Sequence, residues 1–271
     1  MMIKKALVIG GSDPSGGAGI QADIKTLVEL GIYPYTAITA ITAQNSSGVV
    51  SYEIMAARLV KSQIESVISE GGVTGVKIGM LGSSENVFEV ARFISNHPIP
   101  YSIIDPVMRA TDGKVLTSEA SITVLKKRVL PRSFMVTPNI SEATYLTGID
   151  ISSEDDLLDA AQALKETGVG WVLIKGGHLP SATAVDMLYD GKNEYFFEAE
   201  RLGGENVRGT GCMMASAICG YLMQGLEPYV AVDKAKVYVL NKIKTAVALG
   251  RGSYQALPFD AEGEEIENRV D

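Results

Sequence analysis

Short β-rich runs at 6–9, 37–42, 76–78, 102–104, 134–136 and 171–174 alternate along this chain with amphipathic helix patterns at 20–30, 57–68, 85–94, 118–129 and 153–167. Runs such as Ala6-Leu7-Val8-Ile9 and Trp171-Val172-Leu173-Ile174 are continuously apolar, as strands covered on both faces are. Parallel neighbours need a crossover, and a helix supplies it, so the alternation predicts an α/β chain: a three-layer α/β/α sandwich on a mostly parallel sheet. One hairpin pattern, 185–189 and 194–197 around Asp190-Gly191, is expected to add a small antiparallel edge. No linker-like break interrupts the pattern from Lys5 to Gly250, so 1–258 are expected to form one domain and the acidic 259–271 a frayed tail.

Charge narrows the function classes. A net charge of −8 and a pI near 5.0 argue against a nucleic-acid surface, which needs a basic face. Any phosphate site must be built locally, from backbone N–H groups, a metal and a few cations. Met1-Met2-Ile3-Lys4-Lys5 leads straight into a strand pattern and no apolar run approaches ~20 residues, so neither a leader nor a membrane span is expected, and the chain is placed in the cytoplasm. Cys212 and Cys219 lie about two turns apart on one expected helix, ~10 Å along its axis. That is too far for a disulfide, and two cysteines are too few for a zinc site.

Open parallel sheets bind ligands beyond the carboxyl ends of their strands. The residues there are polar and specific: Gln44 and Asn45, then Asp105, then Asn139 and Glu142, then Lys175-Gly176-Gly177. Amides, carboxylates and a lysine converging on one end resemble a metal-nucleotide site.

Two glycine-rich stretches add detail. Gly10 to Gly19 has the spacing of a P-loop but Gly17-Ala18 where Lys-Ser/Thr must stand, and it lacks the dinucleotide fingerprint, which removes a dehydrogenase. Its glycines suit close backbone approach to a ligand at a helix N-terminus. Asp23 falls inside the apolar arc of Ile20, Ile24, Leu27 and Leu30, so its carboxylate needs a partner: a ligand amino group, or the glycine loop itself. Gly209-Thr210-Gly211-Cys212 opens a second helix, whose N–H groups and dipole suit a transferring phosphoryl group. A cysteine there is expected to have a depressed pKa and to serve as base for a substrate hydroxyl. His97 reads as a surface residue, and His178 follows the proposed nucleotide end.

Taken together, Gly11-Ser12-Asp13-x-Ser15-Gly16-Gly17-Ala18-Gly19-Ile20-Gln21-Ala22-Asp23, Thr42-Ala43-Gln44-Asn45, Lys77-Ile78-Gly79-Met80-Leu81, Asp105-Pro106-Val107-Met108, Thr137-Pro138-Asn139-x-x-Glu142, Lys175-Gly176-Gly177-His178 and Gly209-Thr210-Gly211-Cys212 resemble the hydroxymethylpyrimidine/phosphomethylpyrimidine kinases of thiamine synthesis. The resemblance implies a ribokinase-like fold, ATP and Mg2+ as cofactors, a small heterocyclic alcohol as substrate, and a homodimer. It implies that Asp23 and Gln44 hold the pyrimidine in a pocket shaped by Gly11, Ala18, Met80 and Val107. Asn139 and Glu142 would position magnesium and phosphate with Asp105 nearby, Lys175, Gly177 and Thr210 would serve the nucleotide, and Gly209 to Gly211 would form the anion hole beside Cys212.

Two departures bear on a second phosphorylation. Arg109-Ala110-Thr111-Asp112-Gly113 stands where many members read Val-Ala-Lys-Ser-Gly, and Arg208 stands where a histidine or similar residue is usual. Arg109 and Arg208 are therefore the replacement cations expected for the second transfer. The alternatives are a pyridoxine/pyridoxal kinase and, in a different class, a non-catalytic pyrimidine sensor, which has no use for Asp105, Asn139, Glu142 and Lys175.

Overall fold

The computed structural model describes residues 3–110, 113–176, 183–200 and 207–248, together with Gly250, Gly252, Tyr254 and Gln255. Strand β1 (Lys5–Ser12) leads to helix α1 (Gly19–Glu29), and β2 (Tyr33–Asn45) returns parallel to β1. β3 (Gly48–Ile54) folds back on β2; α2 (Ala57–Ser69) then leads to β4 (Val73–Ile78), and α3 (Ser84–Asn96) to β5 (Tyr101–Ile104). Next come α4 (Glu119–Val124), running into a wider turn at Leu125–Val129, then β6 (Met135–Val136), α5 (Ile140–Thr147), α6 (Glu154–Lys165) and β7 (Trp171–Ile174). The hairpin β8 (Thr183–Tyr189) and β9 (Glu194–Glu200) precedes α7 (Thr210–Met223) and α8 (Pro228–Lys244).

The strands form one sheet in the order β3-β2-β1-β4-β5-β6-β7-β8-β9. β2 through β7 pair in parallel, as the alternation requires, with β3 antiparallel at one edge and β8–β9 at the other. Strand side chains alternate between faces, so β1 feeds two cores. Leu7 and Ile9 pack with Val60 of α2, Val90 of α3 and Leu157 of α6, whereas Ala6 and Val8 pack with Leu27 of α1, Ile218 of α7 and Ala235 of α8. α7 is buried on nearly every side because it is wedged between α1 and α8, which explains an apolar pattern without a clear polar face.

The sequence reading misses three elements. β3 gives the sheet a second antiparallel edge; its alternating Gly48-Val49-Val50-Ser51-Tyr52-Glu53-Ile54 follows only a Ser46-Ser47 turn, with no glycine-rich dipeptide to flag a hairpin. Helix α5 is eight residues long, too short to display a period, and is announced instead by its capping box, Asn139 with Glu142. α8 carries Lys236 and Lys242 among its buried residues, which blurs its apolar stripe. The acidic tail lies outside the described residues, among which no helix is long and apolar enough to cross a membrane.

Topology then places the site. The chain leaves β1 on one side for β2 and comes back on its other side as β4, so the crevice beyond these two strands is a topological switch point. Backbone bonds carry the ladder past the strand ends and fix the polar residues there: Gly79 N–H donates to Ile9 O at 2.8 Å, Asp105 to Ile78 O at 2.8 Å and Lys175 to Pro138 O at 2.9 Å.

Candidate active site

Charges of alternating sign line this crevice. Asp23 of α1 meets Lys77 of β4 at 2.9 Å; Lys77 lies 4.0 Å from Asp105, just past β5; Asp105 meets Lys175, just past β7, at 3.0 Å. Asp23 and Lys77 are each 1% exposed. Charges so far from water persist only when paired and hydrogen-bonded. Burial works against the Lys77 ammonium, but Asp23, Cys212 and Asp105 outweigh it and hold its pKa above the ordinary lysine range. Burial likewise opposes the Asp105 carboxylate, yet Lys175 and Lys77 keep its pKa below the usual carboxylate value.

The glycine loop is therefore not what holds Asp23. Lys77 and the Ser216 hydroxyl of α7, donating at 2.7 Å, occupy its carboxylate. This corrects the alternative in which the glycine loop itself satisfies Asp23. Sequence reasoning assigned Lys77 no role, although a lysine inside the apolar strand Val73-Thr74-Gly75-Val76-Lys77-Ile78 was the signal.

The amino end of α7 closes the crevice. Gly209 caps the helix with φ 80°, and a Cβ there would overlap the Gly17 carbonyl, so both conformation and close approach demand glycine. The two glycine-rich stretches thus pack directly together. A side chain at Gly211 would begin 3.3 Å from the Lys175 ammonium and 3.9 Å from Asp105, so the backbone of Thr210 and Gly211 comes close to the charged row. Cys212 is half-buried, and its thiol is near enough to Asp105 to help hold that carboxylate ionised. Its pKa is not depressed: burial, with Asp23 and Asp105, outweighs Lys77 and the Gly19 amide and pushes the thiol up to about 11. Helix position alone fails as a guide because the thiol is buried and two carboxylates add to the burial effect. Cys219 is fully buried beside Met223, with its thiol pushed up to about 12 by burial.

Asn139 caps α5 by accepting from Glu142 N–H at 2.9 Å, and Glu142 Oε2 accepts from Asn139 N–H at 2.9 Å. A backbone bridge joins Asn139 to Lys175. Burial, opposed by Lys175 and helped by Asp105, raises the Glu142 carboxyl to about 7. Lys175, already paired with Asp105 at 3.0 Å, does not offset this burial, and two carboxylates with phosphate oxygens form the hard donor set that magnesium prefers. The sign of this shift makes a prediction. A raised carboxyl pKa favours folding most below 4.5, and that contribution is lost as pH rises through about 7. Glu142→Gln, which keeps the cap, is therefore expected to melt at or above the parent temperature at pH 8 while turnover falls about tenfold and the magnesium requirement rises. Unchanged magnesium dependence would remove Glu142 from the site.

On the heterocycle side, Met80 packs with Ala40 and Leu116, and Val107 joins the same cluster. Gly11 abuts the Met80 sulfur, and Gln44 lies half-buried near the end of β2. Ala18 caps α1, but its N–H donates to Asp13 Oδ2 at 2.8 Å, while Asp13 Oδ1 accepts from Ser15 N–H and Oγ. The chain's own Asp13 carboxylate thus takes up donors of the loop whose glycines suit close approach to a ligand, and sequence reasoning assigned Asp13 no role. Gly177, His178 and Thr111 lie outside the described residues. His97 is exposed at the end of α3, as expected.

The family model described as phosphomethylpyrimidine kinase matches residues 13–256. The chain belongs to that family. The hydroxymethylpyrimidine/phosphomethylpyrimidine kinase of Streptomyces coelicolor is 42% identical over 246 residues, covering 91% of each chain. The thiamine biosynthesis bifunctional protein ThiED of Geobacter sulfurreducens is also 42% identical, over 91% of this chain but 50% of its own length, so the chain spans about half of that relative. Pyridoxal kinase from Staphylococcus aureus, solved with AMP-PCP and pyridoxal, superposes with a TM-score of 0.87 at 31% identity, over 96% of this chain and 94% of the other. Against the expectations for a phosphomethylpyrimidine kinase, one departure looks different in the structure. Arg208 is not a free cation: its guanidinium is held by Asn45 O and Asp13. Arg109 is exposed, donates to Gly113 O at 3.1 Å and bridges Val115.

Proposed function

We propose that this phosphomethylpyrimidine kinase family member transfers the γ-phosphoryl group of ATP to the hydroxymethyl oxygen of 4-amino-5-hydroxymethyl-2-methylpyrimidine, and then to the resulting monophosphate, for thiamine biosynthesis. The observation that carries this reading is the row Asp23–Lys77–Asp105–Lys175 meeting the amino end of α7 at the switch point. Phosphoryl transfer needs positioning and charge neutralisation more than covalent help, and these groups supply both. Lys175 and the N–H groups from Gly209 to Gly211 meet phosphoryl charge, with Thr210 and Gly177 assigned to the nucleotide. Asn139 orients Glu142, and Asp105 with Glu142 would hold Mg2+. A bound magnesium ion would offset phosphate charge and align the transferring group. Cys212 Sγ accepts the proton leaving the substrate hydroxyl. Gln44 recognises the aminopyrimidine edge, where an amide matches adjacent donor and acceptor atoms, and Gly11, Ala18, Met80 and Val107 shape the pocket. Asp23, fixed by Lys77 and Ser216, is assigned with Gln44 to the pyrimidine side. We also place the protein in the cytoplasm as a homodimer.

The likeness to the S. aureus pyridoxal kinase supports a second reading, phosphorylation of pyridoxal. The two are separated by a magnesium-ATP assay on hydroxymethylpyrimidine, its monophosphate, pyridoxine and pyridoxal, with products identified by mass. Turnover of pyridoxal alone would reject the pyrimidine reading, and turnover of none would favour a sensor. Gln44→Ala is expected to weaken pyrimidine binding by about 1–2 kcal/mol through the loss of one partner of a buried polar group, with ATP affinity nearly unchanged. Isothermal titration of each ligand checks this. An unchanged pyrimidine affinity would move recognition elsewhere.

A further inference from the structure

Arg208 is only 6% exposed, and three other segments converge on it. Its Nη1 donates to Asn45 O at 2.6 Å in the β2–β3 turn, and its Nη2 lies 3.6 Å from Asp13 Oδ2 in the first glycine-rich loop. The guanidinium lies over the Tyr254 ring, 5.6 Å from its centre, and the backbone N–H donates to Gln255 O at 3.1 Å. Gly209, the next residue, is the cap of α7 that presses on Gly17. The β2–β3 turn is also held from the Tyr254 side: Tyr254 N–H donates to Ser46 O, and Gly252 N–H to Ser46 Oγ, both at 3.0 Å. Gln44, the proposed ring-recognising amide, is one residue from Asn45.

We infer that Arg208 is a positioning residue for the heterocycle half of the site, fixing the Gln44 end of β2 and the Asp13 loop against the start of α7, rather than a cation for substrate phosphate. The inference rests on the proposed reading for the identity of the ring. Swinging the side chain out to a phosphate would leave a buried carboxylate and a carbonyl short of a partner, the costly direction for any buried polar group. Lysine is no substitute, because a single ammonium on a flexible stem cannot reproduce a planar fork with two separate acceptors and a ring beneath it.

Steady-state kinetics on Arg208→Lys and Arg208→Ala provide the test. The KM for the ring is expected to rise at least tenfold, by the same factor within about twofold for the unphosphorylated alcohol and its monophosphate. The kcat and the KM for magnesium-ATP should stay within about threefold. Amide hydrogen exchange should quicken in peptides spanning 40–55, reporting the released turn. Tyr254→Leu, which removes only the aromatic ring under the guanidinium, should shift the ring KM about threefold in the same direction with an unchanged melting temperature. It decides the question if the Arg208 variants fail to fold: an unchanged ring KM together with unchanged exchange overturns the inference. So does an Arg208 variant that loses the monophosphate step alone. If the unmodified protein phosphorylates pyridoxal but not the pyrimidine, the substrate reading fails, while the same comparison run on pyridoxal still decides the role of Arg208.

Discussion

Lys77→Met is expected to destabilise the protein by about 3–5 kcal/mol, the range for removing one partner of a buried ion pair. For a chain of this size that is roughly a 10 °C fall in melting temperature. The methionine fills much of the lysine's volume, so the loss is electrostatic: it leaves Asp23, and in part Asp105, without the cation 2.9 Å and 4.0 Å away. Because the folded Lys77 pKa lies above its ordinary 10.5, its contribution is fully present below that value and is lost only as pH rises beyond the folded pKa. Burial already holds the Asp23 carboxyl above the usual range and losing Lys77 raises it further, so the deficit should shrink as pH falls from about 9 to 6 and the carboxyl takes up a proton. Adding Asp23→Asn to Lys77→Met should recover more than half of it, since the unpaired carboxylate is then gone. Urea unfolding of the parent, the two single variants and the double variant closes the cycle. A Lys77→Met variant within about 1 kcal/mol of the parent would show that the charged row contributes nothing to folding.

Cys212→Ala is expected to lower turnover about 100-fold or more, within the range of general base catalysis, with both substrates still binding. The pH profile separates proton transfer from packing. With the thiol pushed up to about 11, only a small fraction is ionised near neutrality, so turnover limited by the chemical step should climb close to tenfold per pH unit between about 7 and 9. The alanine variant should be flat over the same interval. A loss below about tenfold, or the same slope in the variant, would assign the catalysis to the α7 backbone and leave the thiol a packing role.

How much of this was legible in the sequence depends on whether the cause is local. Continuous apolar runs and capped helices specify the parallel sheet because each reports its own burial, and the polar residues after the strands specify which end holds the site. The capping box of Asn139 and Glu142 is local too. By contrast, what Asp23 pairs with, what Arg208 holds and how Cys212 titrates are decided by groups brought up from distant parts of the chain. The helical wheel shows that Asp23 needs a partner and cannot say that Lys77, on another strand, is the one. The glycine before Cys212 signals a helix N-terminus and says nothing of the burial and the two carboxylates that raise the thiol. A second edge strand escaped because its turn, Ser46-Ser47, lacks the residues that normally mark one.

The contact between Gly209 and Gly17, with the Ser216–Asp23 bond beside it, also has a meaning for synthesis. That hydrogen bond closes a loop with a sequence separation of 193 residues. A ribosome delivers α1, β4 and β5 long before α7, so the nascent sheet carries a carboxylate whose final hydroxyl partner has not yet been made. Contacts of such separation slow folding and leave partly assembled chains open to aggregation. The site is therefore closed late, when α7 docks between α1 and α8, and a chain terminated before Thr210 contains all nine strands of the sheet but lacks the helix end that closes the crevice.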